Sequence, residues 1–261
     1  MLKFAAAEKL SKSVDSIALL YSEGKFVGGK EIAAIFQVNL MDELSFFKPT
    51  NKAGEIFEIP VSASGYKAER VYLVSIGKNP TDLRTAGAAL GRKMRGKSSK
   101  IFIASKQKDL SIFAISMSMG EFQWSMKSES KSSTSTVFLD NSDITKIQIE
   151  ADAVTFARNL IHTPANVKSP AWLARQARRY GKGLQVTVKS GAQLKEFGGL
   201  LAVGGSSRKH PPRFIQITYS PRKKSAKHVV LVGKGINFDT GGISLKRPYD
   251  LMVPMKSDMA G

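Results

Sequence analysis

The stretch His228–Gly261, HVVLVGKGINFDTGGISLKRPYDLMVPMKSDMAG, decides how this chain is read. Its opening, His228–Gly233, is almost wholly apolar, which predicts a strand central in its sheet. Lys234 follows directly, then Asp239, the Gly241-Gly242 pair of a sharp turn, Lys246 and Asp258. In open α/β sheets, sites form beyond the carboxyl ends of strands, where Lys234 would stand. Two carboxylates beside two lysines there have two readings. One is a pair of salt bridges at a strand end. The other is a metal site in which Asp239 and Asp258 supply oxygen while the lysines ligate or polarise. Spacing alone does not choose between them.

Composition narrows the chemistry. The 261 residues contain no Cys, which removes disulfides, thiolate zinc sites and Cys nucleophiles together. Three His are present, His162, His210 and His228, and none pair at metal-ligand spacing, so a metal here is held mostly by oxygen, with lysine as an unusual nitrogen donor. The net charge is +19, with basic clusters at 92–100, 175–182, 208–209 and 222–227. Such a surface can attract nucleic acid or anionic membrane, but no aromatic interleaving or zinc finger accompanies it. A solvated basic surface, or a chain missing an acidic remainder, is the favoured reading, and charge alone does not decide function. No apolar run reaches membrane-spanning length, and Glu8 and Lys9 interrupt the N-terminal alanines, making a poor secretory signal. A cytoplasmic protein with no membrane partner is expected.

Upstream, the pattern alternates strands and helices. Strands are predicted at Ser16–Tyr21, Glu55–Val61, Arg70–Ile76, Lys100–Ala104 and Ser111–Ser116. Helices are predicted at Lys30–Leu40, from an N-cap at Thr81 along Leu83, Ala86, Leu90 and Met94, and over Met117–Trp124. Ser125–Thr136 reads as a Ser/Lys-rich loop. Ile144–Ile161 predicts one long connecting helix, ended at Thr163-Pro164. Ser169-Pro170 opens another, with Trp172, Leu173, Ala177 and Tyr180 on its apolar face. Strands at Leu184–Val188 and Arg213–Tyr219 and a short helix at Gln193–Phe197 precede the decisive stretch. The class is α/β, divided into 1–141 and 142–261.

VGKGINFDTGGISLK, followed by MKSDMAG, resembles the signature of the leucyl (cytosol) aminopeptidase family of dinuclear metallopeptidases. ARNLIHTPANVKSP at Ala157–Pro170 is similar to that family's entry into its catalytic domain. The resemblance implies a macro-like N-terminal α/β domain followed by the first part of an α/β metallopeptidase catalytic domain. It implies Lys234, Asp239 and Asp258 as metal ligands, with Asp239 bridging toward both of two divalent ions, Mn2+ or Zn2+. It makes Lys246 the catalytic lysine that steadies charge on the scissile carbonyl oxygen, and Met255 a lining residue of the substrate pocket. Cleavage of leucine-like N-terminal residues from peptides and a homohexamer follow from it.

Two departures shape the expectation. Arg247 before Pro248 lengthens the span from Lys246 to Asp258 by one residue. The family's later motif, with its further Asp and Glu ligands and its arginine, does not occur in the 261 residues, so the chain reads as C-terminally truncated and its metal site as incomplete. The 261 residues alone are then expected to be inactive, and the His228–Gly233 strand to be unpaired, exposed and prone to aggregation. The alternative is a non-catalytic binding protein that holds DNA or another anionic partner on its basic surface.

Overall fold

Ser16–Ser22 (β2) is buried along almost its whole length, and one sheet is built outward from it. The computed structural model describes residues 2–127, 134–140, 143–221, 227–247 and 252–261, apart from the side chains of residues 252 and 253. It divides into two compact units, Met1–Phe156 and Ala157–Gly261, and this division falls inside the long helix.

The first unit carries strands β1 (Leu2–Ala6), β2, β3 (Lys25–Phe26), β4 (Ile56–Pro60), β5 (Arg70–Ser75), β6 (Lys100–Ala104) and β7 (Ser135–Leu139). Their order is β1-β7-β6-β2-β5-β4, with β3 paired to β2 as a short hairpin. Neighbours from β1 to β5 run parallel, while β4 lies antiparallel at the edge. The β2–β3 turn needs left-handed backbone at both Glu23 (φ 48°) and Gly24 (φ 75°), which is why Gly stands there.

Side chains alternate across β2 and so feed two cores. Ala18 and Leu20 pack with α3 (Asp82–Met94), α4 (Ser111–Glu121) and the start of α5 (Ile144–His162), through Leu90, Phe113, Met117 and Ile147. Ile17, Leu19 and Tyr21 pack with α1 (Lys30–Phe36) and α2 (Leu40–Phe46), through Ile32, Phe36 and Leu44. The result is three layers, helices on both faces of a mainly parallel sheet, as the α/β pattern requires.

Local departures from the sequence reading have identifiable causes. Lys30–Leu40 is two helices, because Gln37 turns left-handed (φ 53°) and the Asn39 side chain caps α2 by accepting from Met41 N and Asp42 N. Ser111–Ser116 is helical rather than extended. Phe113, Ala114 and Met117 recur at helical spacing, and a short apolar run cannot distinguish a strand from a buried helix. Gly87 and Gly91 on α3 and Gly120 on α4 leave no room for a Cβ against the facing backbone, which lets the two helices approach closely. Thr81 precedes α3 without a side-chain cap; Asp82 accepts from Lys78 N and Asn79 N instead. Half of the Ser/Lys-rich tract, residues 128–133, lies outside the described residues, and its end enters β7.

In the second unit, α6 (Pro170–Tyr180) starts where Ser169 Oγ accepts from Trp172 N at 3.2 Å. Its arginines face solvent as expected, while Tyr180 is exposed and Ala174 is the buried contact. β8 (Gln185–Lys189) pairs antiparallel with β9 (Phe214–Thr218), and between them come a 3-10 turn at Gly191–Leu194 and α7 (Gly198–Gly204). The chain closes with α8 (Met252–Ser257). Among the described residues no helix is long and apolar enough to cross a membrane.

The strand expected at His228–Gly233 does not form. Leu231 is 91% and Val232 94% exposed, and no described strand pairs with them. An apolar strand is stable only with neighbours on its edges and faces, and β8–β9 does not extend to it. The exposed apolar surface expected of this run is present; the extended ladder is not.

Candidate metal centre

The loop that follows the apolar run is shaped by its glycines. Gly241 and Gly242 both adopt left-handed backbone (φ 87° and 63°), and a Cβ on Gly241 would collide with Ser244 O. Gly241 N donates to Asp239 Oδ1 at 2.9 Å, and Lys246 N donates to Thr240 O at 2.9 Å. The loop therefore folds back on itself and brings Lys246 Nζ to 2.5 Å from Asp239 Oδ2. Hydrogen bonding from Lys246, then from Gly241 N, holds the Asp239 carboxyl below its usual range, and the charges of Lys246 and Lys234 act in the same direction.

A second pair forms beside the first. Lys234 Nζ lies 3.1 Å from Asp258 Oδ2. That oxygen is buried and accepts no hydrogen bond, so the contact is an ion pair by distance without hydrogen-bond alignment. Asp239 N donates to Met255 O at 3.1 Å, which fixes the loop to α8. Gly233 packs so tightly on Gly261 O that a Cβ has no space, which places Lys234 beside the segment holding Asp258. All four charged residues singled out in the sequence thus fall in one place, as two lysine–carboxylate pairs. Met255 joins them through its backbone, with its side chain buried.

The donor set suits part of a divalent cation site. Asp258 Oδ2 is buried without a hydrogen bond and has the Lys234 ammonium as its counter-ion, the place a divalent cation would take. Asp239 and Asp258 supply hard oxygen, and Lys234 supplies nitrogen once it is neutral. Among the described residues no group of three or more His, Cys, Asp or Glu stands where it could hold a metal ion. Lys246 and Lys234 neutralise in this structure the carboxylates a metal would use.

Two polar residues near this cluster carried no signal in the sequence. Asn237 Nδ2 is buried without an acceptor. Lys168 is fully buried beneath α8, one of 40 Lys and Arg residues and in no way set apart by composition. The added residue at Arg247 runs into residues 248–251, outside those described.

The profile of the cytosol aminopeptidase family, catalytic domain, matches residues 155–261. Through this segment the chain belongs to the cytosol aminopeptidase family. A probable cytosol aminopeptidase of Corynebacterium efficiens is 34% identical over 97% of this chain and 55% of its own length. One of Aquifex aeolicus is 33% identical over 84% of the chain and 48% of its own length. The chain therefore spans about half the length of these curated relatives. Among solved structures, the bottromycin maturation enzyme BotP in complex with Mn matches with a TM-score of 0.69 and 28% identity, over 95% of this chain and 53% of that one. A tomato leucine aminopeptidase mutant shares the fold, with a TM-score of 0.73 at 22% identity over all of this chain and 57% of its own. The Lys234–Asp258 and Lys246–Asp239 pairs both lie within the matched segment.

Proposed function

We propose that this chain carries the lysine–aspartate part of a dinuclear aminopeptidase site, used to release leucine-like N-terminal residues from peptides. One observation carries the reading: Lys234, Asp239, Lys246 and Asp258 form two adjoining ion pairs, and one carboxylate oxygen is buried with no hydrogen-bond donor. Lys234, Asp239 and Asp258 would hold the ions. Bound divalent ions supply Lewis acidity that activates water and the scissile carbonyl.

The chain's own residues do the rest. Asp239 keeps its carboxylate ionised at neutral pH, ready to ligate. Lys246 stays protonated, and once its carboxylate partner turns to metal its ammonium is free to donate to the substrate's carbonyl oxygen as negative charge develops there. Lys234 must lose its proton to ligate, and a neighbouring dication favours that loss. Met255, joined to Asp239 through its backbone, would line the side-chain pocket. Mn2+ or Zn2+ as the ions, a cytoplasmic location and homohexameric assembly accompany this reading through the family resemblance. Three ligands do not complete a dinuclear shell, so the 261 residues alone are inactive in this proposal.

The test is Mn2+ titration of the 261-residue chain by calorimetry, beside Asp239→Asn and Asp258→Asn, together with a leucine anilide assay. Binding that both substitutions abolish supports the reading. Binding that survives both sinks the ligand assignment, and chelator-sensitive hydrolysis by the unaltered 261 residues sinks the claim that the site is partial.

A further inference from the structure

Pro164 ends α5 and leaves a defect behind it. Leu160 O would receive its helical hydrogen bond from the N–H of residue 164, and proline has none. Thr163 satisfies the preceding carbonyl, Asn159 O, with both its N–H (3.2 Å) and its hydroxyl (2.9 Å). Leu160 O and Ile161 O are met by something else. The chain turns through 164–168, where Lys168 N donates to Pro164 O at 2.9 Å, and this sends the Lys168 side chain back under the helix end.

Lys168 Nζ donates to Leu160 O and Ile161 O, both at 3.2 Å, and to Lys256 O at 2.7 Å. An ammonium has three N–H donors, and here each has a carbonyl. The positive charge also faces the negative end of the α5 dipole. A return tie runs in the opposite direction, with Lys256 Nζ donating to His162 O at 3.1 Å. Two ammonium groups therefore stitch the end of α5 to α8 in both directions.

That attachment matters because α8 has only six residues and cannot persist as a helix without tertiary contacts. Its other described anchor is Asp239 N on Met255 O, and Asp258 follows directly after it. We propose that Lys168 is a positioning residue for the metal centre, acting through α8 to hold Met255 and Asp258 opposite Asp239 and Lys234. The proposal rests on the metal-site reading above. Burial, with the Lys256 charge second, lowers the Lys168 pKa to about 8, so at neutral pH the side chain still has all three donors despite the cost of enclosing a charge. An apolar side chain of similar length would fill the same space and tie nothing, which is the distinction between packing and positioning.

The test compares the metal-free 261-residue chain with Lys168→Met and Lys168→Arg by hydrogen–deuterium exchange, and then titrates each with Mn2+. In Lys168→Met the amides of 252–258 should exchange at least about tenfold faster while β8 and β9 keep their protection, and Mn2+ affinity should fall about tenfold, the usual scale for losing a group that orients a ligand. Lys168→Arg, which keeps charge and donors, should recover most of both. Unchanged exchange at 252–258 in Lys168→Met overturns the proposal, and so does unchanged Mn2+ affinity. If Lys168→Met also deprotects β8 and β9, Lys168→Gln, neutral with two donors, takes its place with the same readouts. Absence of Mn2+ binding by the unaltered chain overturns the metal reading and the positioning role with it, whereas the exchange data still report the stitch itself.

Discussion

The Lys246 ammonium sits 2.5 Å from Asp239 Oδ2, so the residue assigned to the substrate is, without metal, the counter-ion of a residue assigned to the metal. Each holds the other's place. Lys246→Met should therefore change metal binding in the direction opposite to Asp239→Asn. Freed of its competing ammonium, Asp239 should bind Mn2+ at least as tightly, while activity in an otherwise complete enzyme falls by about a hundredfold or more, the scale for losing a charge-stabilising donor. Calorimetry and turnover on one preparation check this; weaker Mn2+ binding in Lys246→Met would contradict it.

Asp258→Asn should separate stability from function. The Lys234–Asp258 pair involves a lysine side chain that is 57% exposed, and such pairs contribute about 0–1 kcal/mol. The carboxylate oxygen it would replace is buried without a donor, so losing its charge removes a cost as well. Unfolding free energy should then move by less than about 1 kcal/mol while Mn2+ binding is lost. A loss of several kcal/mol in urea unfolding would show that Asp258 has a structural role instead.

Gly241→Ala tests the loop that brings the pair together. At φ 87° an Ala side chain is strained, and its Cβ would also strike Ser244 O. The substitution should cost about 1–3 kcal/mol locally and release Lys246 from Asp239. Asp239 carboxyl titration followed by NMR, moved up toward the usual carboxylate range as the Lys246 hydrogen bond is lost, would record the release.

The site was more legible than the strand expected to support it. Lys246 meets Asp239 because the Gly241-Gly242 turn between them is local and written in the spacing, whereas Asp258 is brought in by the longer-range Asp239–Met255 backbone bond. β2, β5 and β6 were legible for a different reason, since runs such as SIALLYS are buried on both faces and are apolar from Ile17 to Leu20. His228–Gly233 has the same character, yet it forms no ladder, because a strand depends on partners that its own residues do not specify. Ser111–Ser116 failed differently, as its six residues fit either period until Met117 extends the helical one. Lys168 was illegible because its partners are the carbonyls of Leu160, Ile161 and Lys256, and backbone acceptors carry no side-chain signature.

The exposed run Val229–Val232 should dominate solution behaviour. Leu231 and Val232 present apolar surface with no described cover, and unpaired apolar segments associate. Val230→Lys with Val232→Glu should shift the 261-residue chain from aggregates toward monomer in light scattering. Equal scattering from both proteins would move the source of association elsewhere.

The Lys168 amine gives the second unit a pH-dependent stability of definite sign. Its folded pKa is lowered from 10.5 to about 8, by burial first and the Lys256 charge second. Between these values the unfolded chain holds a proton that the folded chain has released, so stability rises with pH through this window. The contribution is fully present above 10.5, declines as pH falls toward 8, and is gone below it. The full span amounts to about 3 kcal/mol. Other lysines titrate there too, so the measurable quantity is a difference between proteins. Trp172 reports on the second unit once Trp124 is replaced by Phe. In that background, urea unfolding between pH 7 and 10 should show a rise that Lys168→Met lacks. Parallel pH profiles for the two would mean that the folded amine titrates as an ordinary lysine, and that α8 does not enclose it.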